Sequence, residues 1–138
     1  MRAAIVDTGP LVALLDRGQR VHAWAVARFE ELEPPALVCE PVLAESMYLL
    51  GRLTPAQDAL FRLLDSGAIR IAFRLDEHIA PVRALCRKYR DQPMSLADAC
   101  IVRMSELYER HGVLTLDSDF FVYRRHGRSP LPLIHPAA

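Results

Sequence analysis

Four acidic residues stand where a carboxylate is hard to explain as ordinary surface charge: Asp7, Glu45, Asp98 and Asp117. Asp7 directly follows the apolar run Ala3-Ala4-Ile5-Val6. Asp117 directly follows Val113-Leu114-Thr115-Leu116. Glu45 and Asp98 fall in helical stretches. Three and four residues away, Glu45 has Pro41, Val42, Tyr48 and Leu49, and Asp98 has Met94, Ser95, Ile101 and Val102. Residues at those spacings share a helix face, and neither acid finds a cation there. A carboxylate among apolar groups is costly unless a cation or donors compensate it. Like charges gathered in one place persist only with bound cations or shared protons. An all-oxygen donor set, without His or Cys, suits a hard ion such as Mg²⁺, with Mn²⁺ as a second choice. Simpler roles stay open for three of the acids. Asp7 is placed to cap a helix before Pro10. Asp117-Ser118-Asp119 reads as a turn, and Ser95 with Asp98 has the spacing of a capping box. Glu45 has no such role within its helix, though a tertiary salt bridge would satisfy it.

The elements that must position these acids alternate between strand and helix. Apolar runs at residues 3–6, 36–39, 69–73, 113–116 and 131–134 have strand length. Helices are expected from Pro10 to about Arg17, from His22 to about Leu32, from Pro41 to about Leu50 and from Thr54 to Ser66. Two more are expected from Asp76 to Arg90 and from a Ser95 cap to about Arg110. The strands are continuous apolar runs, not alternating patterns, which favours a parallel sheet covered on both faces. The expectation is a three-layer α/β/α domain with a short central parallel sheet of about five strands, occupying residues 1–138 as one unit. In such sheets ligands bind beyond the carboxyl ends of the strands. Asp7 and Asp117 lie there, and Glu45 and Asp98 lie within about two turns of helix starts that could share that end.

Bulk properties narrow the class. At 138 residues the chain suits one domain with a sizeable core. Cys39, Cys86 and Cys100 are odd in number and widely spaced, so they read as reduced thiols of a cytoplasmic protein. The N-terminal apolar run is broken by Asp7 and Pro10, a poor signal peptide. No stretch is apolar for the roughly 20 residues that span a bilayer. Net charge is zero, from 17 basic and 17 acidic residues. That does not advertise a nucleic-acid binder. Committing four acids to a cation leaves the rest of the surface positive. After Asp119 the chain has no acid but carries Arg124, Arg125, His126 and Arg128. This segment is the best candidate for phosphate contact, with a solvated, mobile loop as the alternative. Arg87-Lys88-Tyr89-Arg90 reads as a solvated helix end, where cations also suit the helix dipole.

Four short motifs in order resemble the PIN-domain family. Asp7-Thr8-Gly9-Pro10-Leu11-Val12-Ala13-Leu14-Leu15-Asp16 is similar to the family's opening. Glu40-Pro41-Val42-Leu43-Ala44-Glu45 is similar to its second acidic segment and Ser95-Leu96-Ala97-Asp98-Ala99 to its third. Leu114-Thr115-Leu116-Asp117-Ser118-Asp119-Phe120 is similar to the fourth. Length and layout resemble the VapC-type toxins of toxin–antitoxin pairs. The resemblance implies Mg²⁺-dependent cleavage of RNA. Asp7, Glu45, Asp98 and Asp117 would be the metal-site residues, and Asp119 an auxiliary acid. Thr8 and Thr115 would be hydroxyls near the metal or its waters. It also implies a small VapB-type antitoxin partner and homodimerisation through the early helices. Two rivals remain. A phosphoacceptor receiver domain also gathers acids at strand ends, but it needs a late lysine at a strand end, and Lys88 falls inside a helix. A degenerate PIN module that only binds is opposed by the complete acid set.

Overall fold

A computed structural model describes residues 1–138. In chain order, β1 (Ala4–Val6) leads into α1 (Thr8–Leu15) and α2 (His22–Glu30), and β2 (Ala36–Val38) into α3 (Glu40–Leu49) and α4 (Thr54–Ser66). Then come β3 (Ile69–Ile71), α5 (Ile79–Lys88), α6 (Leu96–Leu107) and β4 (Gly112–Leu114). The chain ends with β5 (Arg124–Arg125), β6 (Ser129–Pro130) and β7 (Leu133–Ile134). Short 3₁₀ turns at Leu75–Glu77 and Ser118–Phe121 complete the set.

Five strands form one all-parallel sheet in the order β3-β2-β1-β4-β7. β1 sits at the centre, with Ile5 opposite Leu37 on one side and Val113 on the other. Every residue of β1 and β2 is buried. Strands of that kind need helices over both faces, so the three-layer α/β/α expectation holds. The order also creates a switch point. The chain moves outward from β1 to β2 and β3, then returns to lay β4 on β1's other side. Such a reversal is where parallel sheets form a crevice for ligands, here at the carboxyl ends of β1 and β4. The core beneath it joins Ile5, Leu37, Ile101, Met104 and Leu114, all essentially inaccessible to solvent. Cys39 and Cys100 are buried there as free thiols, and Cys86 is half-buried.

The structure corrects several expected boundaries. The strands are two or three residues long, so Asp117 lies three residues beyond the end of β4 instead of directly after it. The first helix begins at Thr8, with Pro10 inside its first turn, where a missing N–H breaks no bond. The helix expected over 76–90 is divided. Pro81 sits in the first turn of α5 and cannot donate to a turn before it, so Leu75–Glu77 stays a separate 3₁₀ turn. The segment after Asp119 is no free loop. It is an antiparallel ribbon, Arg124 opposite Pro130 and Arg125 opposite Ser129, turned by His126 and Gly127 at positive φ.

Candidate active site

The two acids at strand ends are held by the backbone they follow. Asp7 is the N-cap of α1, and its Oδ1 accepts the Thr8 N–H at 2.8 Å. Its backbone N–H donates to the Leu114 carbonyl, which ties it to β4. Its Oδ2 accepts the Thr115 hydroxyl at 2.7 Å. The same Thr115 oxygen accepts the backbone N–H of Asp117 at 3.0 Å. Thr115 is fully buried, so this one hydroxyl links the ends of β1 and β4. Asp117 in turn caps the 3₁₀ turn, accepting the Asp119 N–H at 2.8 Å.

Asp98 comes from the other direction, at the start of α6. It forms a complete capping box: Ser95 Oγ accepts the Asp98 N–H, and Asp98 Oδ2 accepts the Ser95 N–H. That Oδ2 also accepts the Tyr123 hydroxyl at 3.1 Å. Both bonds fall on one oxygen, which leaves Oδ1 for another partner. The capping roles open for Asp7 and Asp98 are therefore real, and they are also what aims the two carboxylates.

Asp7, Asp98 and Asp117 feel one another's charge. Burial, chiefly, pushes the Asp7 carboxyl up to about 6. The bonds from Thr115 and Thr8 oppose that rise, while Asp98 and Asp117 add to it. Burial also raises Asp98, against the Ser95 and Tyr123 donors, with Asp117 adding a little. Asp119 is raised by partial desolvation and by Asp117 beside it. Carboxylates that repel in this way favour a cation between them. Thr8, next to Asp7, adds a buried hydroxyl with no hydrogen-bond partner. This donor set of carboxylates and a hydroxyl fits Mg²⁺ or Mn²⁺. No three acidic, His or Cys side chains converge tightly enough to enclose an ion alone. That also fits Mg²⁺, which keeps several waters and takes one or two carboxylates plus phosphate oxygens.

The structure does not bring Glu45 into this group. It lies exposed on α3, and no hydrogen bond ties it to the other acids. The expectation rested on apolar neighbours burying its carboxylate. Two of them, Tyr48 and Leu49, are themselves 84% and 56% exposed, so no such burial occurs. Arg124 and Arg125 also differ from expectation. Arg124 Nη1 donates to the carbonyls of Phe121, Val122 and Tyr123, and Arg125 Nη1 to those of Ser105 and Glu109. Both clamp the ribbon to the domain. Arg128 stays exposed. A groove of about 790 Å³ lies beside α3, lined by Phe73, Leu75 and Ile79 among others, and holds none of the four acids.

Tyr123 was not singled out from the sequence. It is fully buried, edge-on to Phe120 and Tyr89 at 5.1 Å each, with its hydroxyl on Asp98. Nothing local marks it, because the contact spans 25 residues. Its ring is held by aromatic packing, so its hydroxyl fixes Asp98 and not the reverse. Tyr123→Phe should fold, lose about 1 kcal/mol of stability and weaken Mg²⁺ binding several-fold. Denaturant melts and Mg²⁺ titration would show it, and an unchanged Mg²⁺ affinity would count against the positioning role.

This crevice, at the switch point of a parallel sheet and ringed by aspartates, defines a PIN-type α/β domain, and the chain belongs to the PIN domain family, which it matches over residues 4–125. Its relatives are consistent. It is 34% identical over 120 residues to "Ribonuclease VapC26" of Mycobacterium tuberculosis, covering 85% of this chain and 88% of that protein. The fold is similar to that of Mycobacterium tuberculosis VapC20, a sarcin-ricin loop cleaving toxin. The TM-score is 0.71 at 20% identity, over 85% of this chain and 92% of that one. It is also similar to a chain of a toxin–antitoxin complex from Klebsiella pneumoniae. There the TM-score is 0.65 at 23% identity, over 86% and 90% of the two chains. No helix is long and apolar enough to cross a membrane.

Proposed function

We propose that this chain is a divalent-metal-dependent ribonuclease, the toxin of a VapBC-type toxin–antitoxin pair. The observation that carries the chemistry is the buried Thr115 hydroxyl that ties the carboxylate of Asp7, itself buried, to the backbone of Asp117 at the switch point, with the buried Asp98 carboxylate anchored through one oxygen only. The relative named as a ribonuclease, at 34% identity, supports RNA as substrate, and the toxin–antitoxin complex of similar fold supports an antitoxin partner. Asp7 and Asp98 would hold the cation, with Asp117 completing the site beside them. Glu45 would serve as a rim acid, on the helix that leaves β2 at the same end of the sheet. Mg²⁺, when bound, supplies Lewis-acid activation of water and neutralises charge on the phosphate.

The chain's own residues set the geometry. Thr115 fixes the rotamer of Asp7 and the backbone of Asp117 together, so the two acids keep one spacing. Ser95 and Tyr123 hold Asp98 Oδ2 and leave Oδ1 toward the site. The fully buried floor of Val6 and Leu114 keeps bulk water below the crevice out, which strengthens each electrostatic contact above it. Gly9 allows close approach beside the acids. A Cβ there would meet Leu116 Cδ1 at 3.3 Å, a side chain able to give way, so a small residue is tolerated.

The test is cleavage of a mixed RNA pool. The parent should cut with Mg²⁺ and stop with a chelator. Asp98→Asn should lose on the order of a hundredfold or more in rate, about 3 kcal/mol, while remaining folded. A variant that cuts as fast as the parent would remove Asp98 from the site.

A further inference from the structure

We propose that the solvent face of α5, with Arg128 of the ribbon turn, is a second surface that grips the sugar–phosphate backbone of RNA away from the point of cleavage. This deepens the ribonuclease reading and rests on it. From His78 to Arg90 there is no acid, but there are Arg83, Arg87, Lys88 and Arg90. All four are exposed, and none is in an ion pair. Arg83 and Arg87 are four apart and share one face of α5, and Arg90 follows in the turn just past its C-terminus. Ala80 and Ala84 on the same side keep that face low. The opposite face, with Val82, Leu85 and Tyr89, is buried in the core. The helix is therefore fixed and cannot turn its apolar side to a lipid surface.

Of the nearby acids, only Asp91, exposed just past Arg90, is in no ion pair; the others are taken. Asp76 and Glu77 lie on Arg74, Glu106 on Arg103, and Glu109 on His126. In a chain of zero net charge, this ridge is a local excess of positive charge. The helix dipole accounts for cations in the last turn, but not for Arg83 in the middle. Lys88 is spoken for, since its Nζ donates to the Gly127 carbonyl at 2.9 Å. That bond pins α5 to the ribbon turn and brings Arg128 up beside the ridge.

Continuity with the catalytic crevice identifies the ligand. Tyr89, at the end of α5, packs on Tyr123, whose hydroxyl holds Asp98. Its own hydroxyl accepts the Arg124 N–H at 2.9 Å. The ridge thus leads away from the acids across one layer of aromatic rings. Arg83 to Lys88, the end of the helix, spans about 7.5 Å at 1.5 Å per residue, and Arg90 extends the ridge into the turn beyond. A nucleic-acid strand advances about 3.4 Å per phosphate, so the ridge faces about three of them. Guanidinium groups suit phosphate oxygens in bidentate pairs.

The experiment uses the full chain with Asp7→Asn, so that RNA is bound and not cut, with and without R83Q/R87Q/R90Q. Binding of a single-stranded RNA of about 30 nucleotides is followed by fluorescence anisotropy across a salt series. Each phosphate contact on a single strand contributes about 0.7 to the slope of log affinity against log salt. The triple variant should bind about tenfold or more weakly at low salt, with the slope shallower by about 2. R83K/R87K/R90K should restore most of the slope. Equal affinity and slope in the triple variant would overturn the proposal, as would competition by polyglutamate but not by RNA. If this binding behaves as expected while the parent protein cleaves no RNA, the surface stands and the nuclease reading fails. Cleavage by the parent with no change on removing the arginines gives the reverse result.

Discussion

Asp7→Asn is expected to abolish RNA cleavage, by about a thousandfold or about 4 kcal/mol, and yet to stabilise the metal-free protein at pH 7.5. The two effects share one cause. Burial raises the Asp7 carboxyl from 3.8 to about 6, so ionising it in the folded chain is unfavourable. At about 1.4 kcal/mol per unit, that is about 3 kcal/mol. The sign follows from linkage. A carboxyl raised in the folded state favours folding fully below pH 3.8 and loses that contribution as pH rises through about 6. The metal-free parent therefore weakens between pH 4 and pH 7, and the Asn variant escapes that part of the loss. Asparagine still accepts the Thr8 N–H but gives up charge-assisted bonds to it and to Thr115, so the net gain is about 1–2 kcal/mol. For a chain of this length that is a rise in Tm of several degrees. Thermal melts of both proteins in chelator at pH 4 and pH 7.5 would test this. A variant that melts lower at pH 7.5, or by the same margin at both pH values, would contradict the burial account.

The parts of this architecture that were legible in the sequence are those encoded by local pattern. Continuous apolar runs at Ala4–Val6 and Ala36–Val38 can only be strands buried on both faces. Asp7 could be placed directly after β1 because a strand's end is a local fact, whereas Asp117 lies three residues past β4, since the ladder stops at Leu114 before its apolar run does. The Ser95–Asp98 capping box was readable for the same reason. Glu45 shows where the method stops. Its neighbours Val42, Tyr48 and Leu49 form an apolar pattern, but pattern does not say which members face solvent. Tyr48 and Leu49 do, and the carboxylate stays with them outside the cluster. Arg124 and Arg125 were misread in a related way. Residue type announces phosphate contact, while Arg124 folds back on the carbonyl of Phe121 three residues before it, and the carbonyls of Ser105 and Glu109 that occupy Arg125 arrive from the end of α6. Tyr123 was invisible because its meaning lies entirely in a long-range contact with Asp98.

Adding Mg²⁺ is expected to reverse the destabilisation just described, most fully above about pH 6. A ligand that binds the folded chain alone stabilises it by about 2.7 kcal/mol at a hundred times its Kd. Metal ligands must be deprotonated to bind. Asp7 is raised to about 6, and Asp98 is raised as well. At pH 5 about nine-tenths of Asp7 would be protonated, so the apparent Mg²⁺ affinity should fall about tenfold per pH unit below 6. The rise in Tm with Mg²⁺ should therefore be several degrees at pH 7.5 and about half that at pH 5 when Mg²⁺ stands at about a hundred times its Kd at the higher pH. The variants separate the acids. Asp7→Asn and Asp98→Asn should lose nearly all of the effect. Glu45→Gln should keep most of it, because Glu45 is exposed and hydrogen-bonded to none of the other acids. An effect of Mg²⁺ that is equal at both pH values would point to general surface binding. Loss of the effect in Glu45→Gln as complete as in Asp98→Asn would show that α3 swings its acid inward once an ion is bound, and would return Glu45 to the ligand set.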